Sequence, residues 1–419
     1  MSQAVVNSEA ASLVLYRNIA QLVQPHTEQG RSQTPVDVSP RAAMLVRNGW
    51  VLAAGSEAVV ATHPETAAAR VVDVGDRAVV PGFVDSHTHI VFAGERIDEM
   101  GRRCRGESYE DIARAGGGIA ATMERVRAAS EEALAGNAEG RLRLMLSLGT
   151  TTCEIKSGYG GTPDAELKML RVIRQLQDRS PIDLHATVLA HVMPAEFRDR
   201  RQAYVERFCQ EVIAPAAHSS LAAFADVFVE QHAFTPDEAR TLCDFARDAG
   251  LGIKLHVDQL RDGAGGQLAA ELGALSADHL EHTNTEGQQA LANAGVVASL
   301  VPGCGLFLGK GPWPDGRALR DAGCEVAVAT DCNPGTSMVF DLALCGTMAA
   351  TLCGLTLEEA VWGITRGGAR ALGLSDRGCL RAGERADFVV VDHDDWRALF
   401  YRPGQAPIYA VARAGRVVA

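Results

Sequence analysis

Apolar runs alternate regularly with amphipathic, helix-like segments through the middle of this chain. Each run is long enough for a buried strand and precedes a helical stretch, such as 164–177, 236–249, 285–294 or 337–353. Eight such units in succession predict a parallel (β/α)8 barrel of the TIM type, and the Gly-rich turn of an open dinucleotide-binding sheet is not found. The predicted barrel strands are 83–91, 151–156, 184–190, 225–230, 252–257, 274–280, 296–301 and 325–330.

The two ends of the chain show a different pattern, in which short apolar runs are separated by polar and glycine-containing turns. The stretch 24–40, rich in Pro, Ser, Thr and Gln, is expected to form a loop between two strands. Because chain termini often lie close together, we expect both ends to pair into one small β-sandwich-like domain. This interpretation assigns residues 1–80 plus 378–419 to the β domain and residues 81–377 to the barrel. The expected strands are 13–16, 43–46, 51–54, 78–80, 388–392 and 408–411.

The composition narrows the class of protein. With 419 residues, 47% of them hydrophobic, the chain can bury one large core and a smaller one. A net charge of -12 without any basic block disfavours nucleic acid and membrane surfaces as partners. Ten cysteines without a Cys-x-x-Cys pair indicate a reducing compartment rather than disulfides. No apolar run reaches the ~20 residues of a membrane span, and no secretory leader pattern opens the chain, so we expect a cytoplasmic location.

The most informative motif lies at the end of the first predicted barrel strand. His87 and His89 are two residues apart, and in an extended chain such residues point to the same side. Two imidazoles directed at one point match the geometry that a divalent metal requires. Taken alone, the pair is equally well explained by local hydrogen bonding of two histidines near a strand end.

Further polar residues stand at the ends of other predicted strands: His256 at the fifth, His279 at the sixth and Asp331 at the eighth. The carboxyl ends of barrel strands meet at one face, where the active sites of such barrels are built. We therefore expect His87, His89, His256 and Asp331 to bind one divalent metal. This nitrogen-rich set suits Zn²⁺ or Fe²⁺ and is poor for Mg²⁺ or Ca²⁺. His279 fits either a fifth ligand or, as we favour, the base that takes a proton from water.

Longer runs of the sequence match the pattern of a known family. These runs are residues 84–89 with Phe92 and Arg96, 108–109, 116–119, 154–160, 276–280 and 329–335. Together they resemble the imidazolonepropionases, histidine-degradation enzymes of the amidohydrolase superfamily, over nearly the whole chain. The resemblance implies a barrel with a small β domain, a mononuclear zinc or iron centre, and a homodimer. It also implies hydrolysis of 4-imidazolone-5-propanoate to N-formimino-L-glutamate.

The resemblance further implies roles for individual residues. The implied catalytic residues are His279, Asp331 and Gln259, and the implied substrate contacts are Arg96, Tyr109, Tyr159, His191, Gln259, Asn333, Gly335 and Thr336. Arg96 offers a planar fork for the propionate carboxylate, with a structural ion pair as its alternative role. His191 has the alternative of a structural histidine, and Gln259 can orient groups but cannot shuttle protons. Water activated at the metal is expected to attack the ring carbon between the two nitrogens.

Several neighbouring positions depart from the family pattern, while the expected metal ligands do not. The departures lie at 189–192, 230–232, 302–307 and 333–338, and altered surroundings of an intact centre indicate a shifted substrate. The alternative is a sibling enzyme that hydrolyses 3-(5-oxo-2-thioxoimidazolidin-4-yl)propionate with release of sulfide, a step of ergothioneine degradation. Cys304 and His232 would then lie near the sulfur, although a buried core cysteine and a structural histidine are the simpler interpretations.

A non-catalytic scaffold with the same barrel is the alternative from another class of protein. The complete set of expected ligands, together with Arg96 and His279, weighs against it. Metal analysis distinguishes the two, because a scaffold need not retain a metal.

Overall fold

The computed structural model describes residues 13–30, 34–309 and 311–419, which form two sheets connected by helices. The strands are β1 (Leu13–Pro25), β2 (Val36–Arg47), β3 (Trp50–Ser56), β4 (Arg70–Pro81), β5 (Phe83–Asp85), β6 (Thr150–Lys156), β7 (Asp183–Ala190), β8 (Phe224–Val229), β9 (Gly252–Val257), β10 (Ser276–His279), β11 (Val297–Leu300), β12 (Val326–Val328), β13 (Phe388–Val391), β14 (Ile408–Arg413) and β15 (Arg416–Val417). The helices are α1 (Glu57–Ala61), α2 (Ile97–Cys104), α3 (Tyr109–Arg114), α4 (Gly118–Ala128), α5 (Glu131–Ser147), α6 (Pro163–Gln177), α7 (Arg201–Phe208), α8 (Ala214–His218), α9 (Pro236–Asp248), α10 (Gly265–Glu271), α11 (Thr285–Ala294), α12 (Pro302–Leu308), α13 (Gly316–Ala322), α14 (Leu342–Leu352), α15 (Leu357–Trp362), α16 (Gly368–Ala371) and α17 (Ala398–Tyr401).

Strands β5 to β12 form one parallel sheet of eight strands, arranged in the order of the chain. Beyond the strand ends, a parallel bridge joins Thr88 to Cys332, and the Asp331 amide donates to the His87 carbonyl at 3.0 Å. These contacts connect the first strand to the last and close the cylinder. The predicted (β/α)8 barrel is therefore confirmed, and both closing segments carry candidate metal ligands.

Most predicted barrel strands agree closely with the structure, but the first is shorter than expected. The prediction extended to residue 91, whereas β5 ends at Asp85. After that residue the backbone bonds to both neighbours at once, because Lys156 N donates to Thr88 O and His89 N donates to Cys332 O, each at 2.9 Å. The segment thus lies across the mouth of the barrel, and it carries His87 and His89 above the strand ends.

Polar residues cap the N-termini of several barrel helices. Thr162 accepts from the Ala165 amide at the start of α6, and Thr235 with Glu238 forms a reciprocal capping box at the start of α9. The helix predicted over 337–353 begins only at Leu342, because the preceding residues form a turn in which Asn333 pairs with Ser337. That turn lies beside the candidate metal ligands.

The terminal segments form a seven-stranded mixed sheet in the order β15-β14-β13-β4-β1-β2-β3. Strand β4 joins the two ends of the chain, since it pairs parallel to β1 and antiparallel to β13. The loop predicted over 24–40 is wrong in extent, because β1 continues to Pro25 and β2 begins at Val36. Backbone pairing between these two strands extends from Leu13 with Arg47 to Pro25 with Val36. Polar residues can occupy such strands because one face of an antiparallel sheet can be exposed to solvent.

A partly buried ion cluster attaches the C-terminal segment to the barrel. Asp183, the first residue of β7, accepts hydrogen bonds from Arg377 at 2.5 Å and Arg385 at 2.9 Å.

Throughout the described ranges, every helix lacks either the length or the apolar character of a membrane span.

Candidate metal centre

His87 and His89 face each other at the mouth of the barrel. Their Nε2 atoms are 3.3 Å apart, and both side chains are buried, with His87 at 0% and His89 at 2% exposure. Asp331 approaches from the segment after β12, and its Oδ1 lies 3.5 Å from His87 Nε2 and 3.4 Å from His89 Nε2. Three ligand-type atoms thus surround one point, as the strand-end argument predicts.

His256, the penultimate residue of β9, completes this group. Its ring centroid is 4.4 Å from that of His87, and one ligand atom each of His87, His89 and His256 lie within 4.8 Å of one another. Within the described part of the chain, the Nε2 atom of His256 is buried without a hydrogen-bond partner. A buried nitrogen lone pair without a donor costs free energy unless something occupies its position, and a cation fits that position. The geometry therefore fits a divalent metal.

His279, the last residue of β10, lies beside the same group. One ligand atom each of His87, His279 and Asp331 also lie within 4.8 Å of one another. The Nδ1 atom of His279 is 3.2 Å from Glu281 Oε1, which leaves Nε2 to face the centre. The structure brings all five expected residues together, and both roles considered for His279 are compatible with this geometry.

The protonation of the group follows from burial and from the surrounding carboxylates. Burial and the nearby Lys156 ammonium lower the pKa of His87, but the carboxylates of Asp278 and Asp331 outweigh them and raise it to about 9. Burial lowers the pKa of His256 well below its ordinary value. Burial would raise the pKa of Asp331, yet hydrogen bonds from His87 and His89 hold it well below the ordinary range. Asp331 is therefore a carboxylate and His256 a neutral imidazole, the forms that bind metal, whereas His87 must release a proton when a cation binds.

Two carboxylates that the sequence analysis missed support the metal ligands from below. Asp278 Oδ2 lies 2.6 Å from His87 Nδ1, and Asp226 Oδ2 lies 3.0 Å from His256 Nδ1. A carboxylate on Nδ1 fixes the tautomer and leaves Nε2 free for a cation. For Asp226 the available signal was a charged residue within the otherwise apolar strand β8, since a buried charge requires a partner.

The predicted carboxylate-binding arginine is already paired on one edge. Arg96 Nε donates to Glu99 Oε2 at 2.8 Å, and Nη2 lies 2.7 Å from the same oxygen. The other edge points to the turn after Asp331, where a side chain at Gly335 would place its Cβ 2.2 Å from Arg96 Nη1. Only glycine permits this approach. Arg103, which the sequence analysis did not identify, donates to Gly335 O at 3.2 Å and adds a second cation there.

Two further predicted contacts stand next to the histidines. His191 stacks on His89 with ring centroids 5.4 Å apart, and Tyr159 lies 5.5 Å from His191 and 5.8 Å from His89. Burial lowers the pKa of His191 to about 3. His191 is thus a neutral imidazole, which can form hydrogen bonds but carries no charge.

Of the remaining predicted substrate contacts, Asn333, Gly335 and Thr336 lie in the turn after Asp331, and Gln259 lies in the pocket beside the metal ligands. Asn333 holds its own turn, because its Oδ1 accepts from the amides of Gly335 and Thr336, each at 2.8 Å. Gln259 Nε2 donates to Cys304 Sγ at 3.5 Å beside the centre. The side chain of Tyr109, at the start of α3, lies outside the described residues. His232 lines a different pocket, with Met193, Arg198, Arg201 and Gln231.

Comparison with known proteins agrees with this geometry. The Amidohydrolase family profile matches residues 78–419. The chain is 44% identical to imidazolonepropionase from Myxococcus xanthus over 406 residues, 96% of each protein. It is 46% identical to that of Caulobacter vibrioides over 372 residues, 87% of this chain and 93% of the relative. It is 43% identical to that of Deinococcus radiodurans, covering 96% of this chain and 99% of the relative.

Solved structures share the fold at low sequence identity. A 5-methylcytosine deaminase from Klebsiella pneumoniae superposes with a TM-score of 0.71 at 17% identity, covering 97% of this chain and 98% of that one. An atrazine chlorohydrolase from Arthrobacter aurescens, complexed with zinc, gives 0.64 at 17% identity, covering 96% and 94%. The family profile and the curated relatives show that the chain is a hydrolase that acts on C–N bonds. The chain belongs to the amidohydrolase family and, within it, to the imidazolonepropionase family.

Proposed function

We propose that this enzyme hydrolyses 4-imidazolone-5-propanoate to N-formimino-L-glutamate, a reaction of histidine degradation. The convergence of His87, His89, His256 and Asp331 at the barrel mouth carries the proposal. Its substrate is drawn from relatives that are 43%, 44% and 46% identical to this chain and are imidazolonepropionases. The four side chains would hold one divalent cation, Zn²⁺ or Fe²⁺, because three of the four donors are imidazole nitrogens.

The protons of the reaction are handled by residues around the centre. When bound, the cation supplies Lewis-acid activation of water. With Nδ1 of His279 held toward Glu281, its Nε2 accepts a proton from the attacking water and later returns it to the leaving nitrogen. Gln259 orients the ring or the water through its amide, since it cannot titrate.

The product determines which ring carbon is attacked, and it corrects the expectation that water attacks the carbon between the two nitrogens. N-formimino-L-glutamate retains its N–CH=NH unit and gains a carboxylate. The new C–O bond therefore forms at the ring carbonyl carbon, and the bond from that carbon to the adjacent nitrogen breaks. Turnover in H₂¹⁸O consequently places the label in the new carboxylate, and label elsewhere would contradict this assignment.

The propionate of the substrate is bound at the side of the pocket that carries Arg96. The Arg96 guanidinium supplies the positive charge and the planar N–H donors that bind a carboxylate, with Glu99 on its Nε–Nη2 edge and Gly335 beside Nη1. Tyr159 contributes a hydroxyl donor, and the neutral His191 contributes a hydrogen bond without adding charge. This arrangement favours a small ring with an anionic tail.

The direct test is turnover of the purified protein with 4-imidazolone-5-propanoate. We expect loss of ring absorbance together with stoichiometric N-formimino-L-glutamate, abolished by a chelator and restored by Zn²⁺ or Fe²⁺. Metal analysis of the purified protein separates the two metals. Absence of turnover from protein with a full complement of metal would refute the proposal.

A second candidate substrate is favoured by the contact between Gln259 and Cys304. The pair presents a soft sulfur and a neutral amide beside Asp331, an environment that suits a thiocarbonyl group. On 3-(5-oxo-2-thioxoimidazolidin-4-yl)propionate, water would attack the carbon between the two nitrogens and expel sulfide. Sulfide release without turnover of the imidazolone would establish this second candidate in place of the first.

The homodimer, the cytoplasmic location and the absence of nucleic-acid partners remain predictions. Light scattering of the purified protein tests the first: a mass of two chains is expected, and a mass of one chain would contradict it.

A further inference from the structure

A cluster of charged side chains fills the barrel interior beneath the candidate metal centre. Barrel interiors are usually packed with branched apolar residues, and burying an ion costs several kcal/mol unless it is well paired. The cluster therefore requires a physical reason, and neither of its lysines has a part in the hydrolysis described above. Its members come from β6, β8, β9 and β10 and are all at most 1% exposed: Glu154, Lys156, Asp226, Lys254 and Asp278.

Lys156 connects the two carboxylates that hold metal ligands. Its Nζ lies 2.7 Å from Asp226 Oδ2 and 3.6 Å from Asp278 Oδ2. The same Asp226 oxygen lies 3.0 Å from His256 Nδ1, and the same Asp278 oxygen lies 2.6 Å from His87 Nδ1. One ammonium thus lies between two carboxylate–imidazole pairs that come from different strands.

Lys254, on strand β9, contacts the same cluster of side chains and the segment that carries His87. Its Nζ donates to Ser86 O at 2.8 Å, which is the carbonyl immediately before His87. It also lies 3.7 Å from Asp278 Oδ2 and 3.5 Å from Glu154 Oε1. Glu154 Oε1 in turn accepts from Lys156 at 2.8 Å, so it joins the two lysines.

The charges of the cluster explain why Lys156 is needed. Two lysine side chains face three acidic side chains in a region without solvent exposure. Burial alone would lower the pKa of Lys156, but Asp226, Glu154 and Asp278 outweigh it and raise the pKa, so the side chain is an ammonium. Without that ammonium, Asp226 and Asp278 would lose a shared counter-charge, and each would hold its histidine less firmly.

We propose that Lys156 is a positioning residue for the metal centre, which fixes Asp226 and Asp278 and thereby orients His256 and His87 as one unit. The inference rests on the proposed function, in that it takes His87 and His256 as metal ligands. Lys156 touches neither metal nor substrate and acts only through the two carboxylates.

The test compares Lys156→Met with Lys168→Met. Lys168 is a matched control, because its Nζ donates to three backbone carbonyls, of Val126, Arg127 and Ala129, and lies in α6 outside the cluster. Zn²⁺ affinity is measured by competition with a chromophoric chelator, and the ligand geometry is read from the visible absorption of the Co²⁺-loaded protein. We expect Lys156→Met to weaken Zn²⁺ binding about 10–100-fold and to change the Co²⁺ spectrum. Lys168→Met should leave both unchanged.

The outcomes separate this inference from the proposed function. A wild-type protein that binds no Zn²⁺ would overturn the metal centre itself. Wild-type binding combined with an unchanged affinity and Co²⁺ spectrum in Lys156→Met would overturn the role of Lys156 alone. A lower melting temperature of the metal-free variant without loss of affinity would also overturn it, since that is the signature of a merely structural residue.

A second pair of variants covers the case in which Lys156→Met does not fold. Asp226→Asn and Asp278→Asn retain the side-chain volume, remove the negative charge beside Lys156 and replace one acceptor oxygen with an amide donor. Each is expected to weaken Zn²⁺ binding and to alter the Co²⁺ spectrum, and unchanged values in both would refute the proposal.

Discussion

Nδ1 of His279 lies 3.2 Å from Oε1 of Glu281, and both side chains are buried at the end of the sixth barrel strand. Burial would lower the pKa of His279, but the Glu281 carboxylate raises it. An imidazole held in this way is suited to accept and return a proton, the function of a base rather than of a fourth imidazole ligand.

The first prediction tests whether His279 acts as the base or as a metal ligand. His279→Asn should retain about one metal ion per chain while kcat falls about 10²–10⁴-fold, because only proton transfer is lost. Metal analysis and steady-state kinetics on the same preparation measure both. His87→Asn is the matched comparison and should lose the metal as well. If His279→Asn also loses the metal, His279 is a fifth ligand.

The second prediction concerns the substrate carboxylate. Arg96→Met should raise KM for 4-imidazolone-5-propanoate about 10–100-fold, the loss expected for hydrogen bonds to a charged group. Initial-rate kinetics measure it. An analogue with a neutral amide in place of the propionate provides a control, because the variant and the wild type should then differ little.

A second control removes the partner of this arginine. Glu99→Gln breaks the Arg96–Glu99 ion pair but retains the guanidinium, so it should change KM much less than Arg96→Met does. Equal effects of the two variants would show that Arg96 serves the ion pair and not the substrate.

Periodicity predicted the barrel well because its strands are short, apolar and separated by capped helices. The ends of α9 and α11 fall within one residue of their predicted positions for this reason. The early end of β5 was not predictable, because it depends on Thr88 and Cys332 meeting across the barrel mouth, a contact between residues far apart in the chain.

The candidate site was predictable to the extent that its residues follow strand ends. His87, His89, His256 and Asp331 come together as that argument requires. Their supports were not found, since pairing of Asp226 with a histidine one strand away depends on the register of neighbouring strands. Periodicity along one strand identifies the strand, but it does not say which residue lies opposite in the neighbouring strand.

The third prediction concerns the attachment of the C-terminal segment to the barrel. Asp183→Asn should destabilise the protein by about 1–3 kcal/mol at neutral pH, because Arg377 and Arg385 lose a charged acceptor. Thermal unfolding measures it. Asp178→Asn, at an exposed helix end, should change stability by less than about 0.5 kcal/mol.

The pH dependence of the same difference follows from the sign of the shift. Burial would raise the pKa of Asp183, but Arg377 and Arg385 lower it below the ordinary value. The carboxylate is therefore favoured in the folded state, and its stabilisation is complete above the unfolded pKa of about 3.9. As the pH falls from there through the lower folded-state pKa, the melting temperatures of wild type and Asp183→Asn should converge. A difference that does not shrink as the pH falls below about 3.9 would contradict an ionic origin.

The last prediction links packing against the first barrel strand to the metal centre. Gly368 at the start of α16 lies against β5, and a Cβ there would stand 2.1 Å from the Val84 carbonyl oxygen. The Val84 carbonyl belongs to the backbone and cannot rotate away as a flexible side chain can. Gly368→Ala must therefore displace β5 at Val84, three residues before His87. We expect a destabilisation of about 1–3 kcal/mol together with weaker Zn²⁺ binding.

Gly140→Ala is its matched control. Gly140 lies within α5 with open space around its Cβ position, so alanine should stabilise the helix by about 0.5–1 kcal/mol and leave Zn²⁺ affinity unchanged. Thermal unfolding of the metal-free proteins and chelator competition distinguish the two substitutions. Wild-type Zn²⁺ affinity in Gly368→Ala, despite a lower melting temperature, would show that the segment carrying His87 is positioned independently of β5, by its hydrogen bonds to other barrel segments.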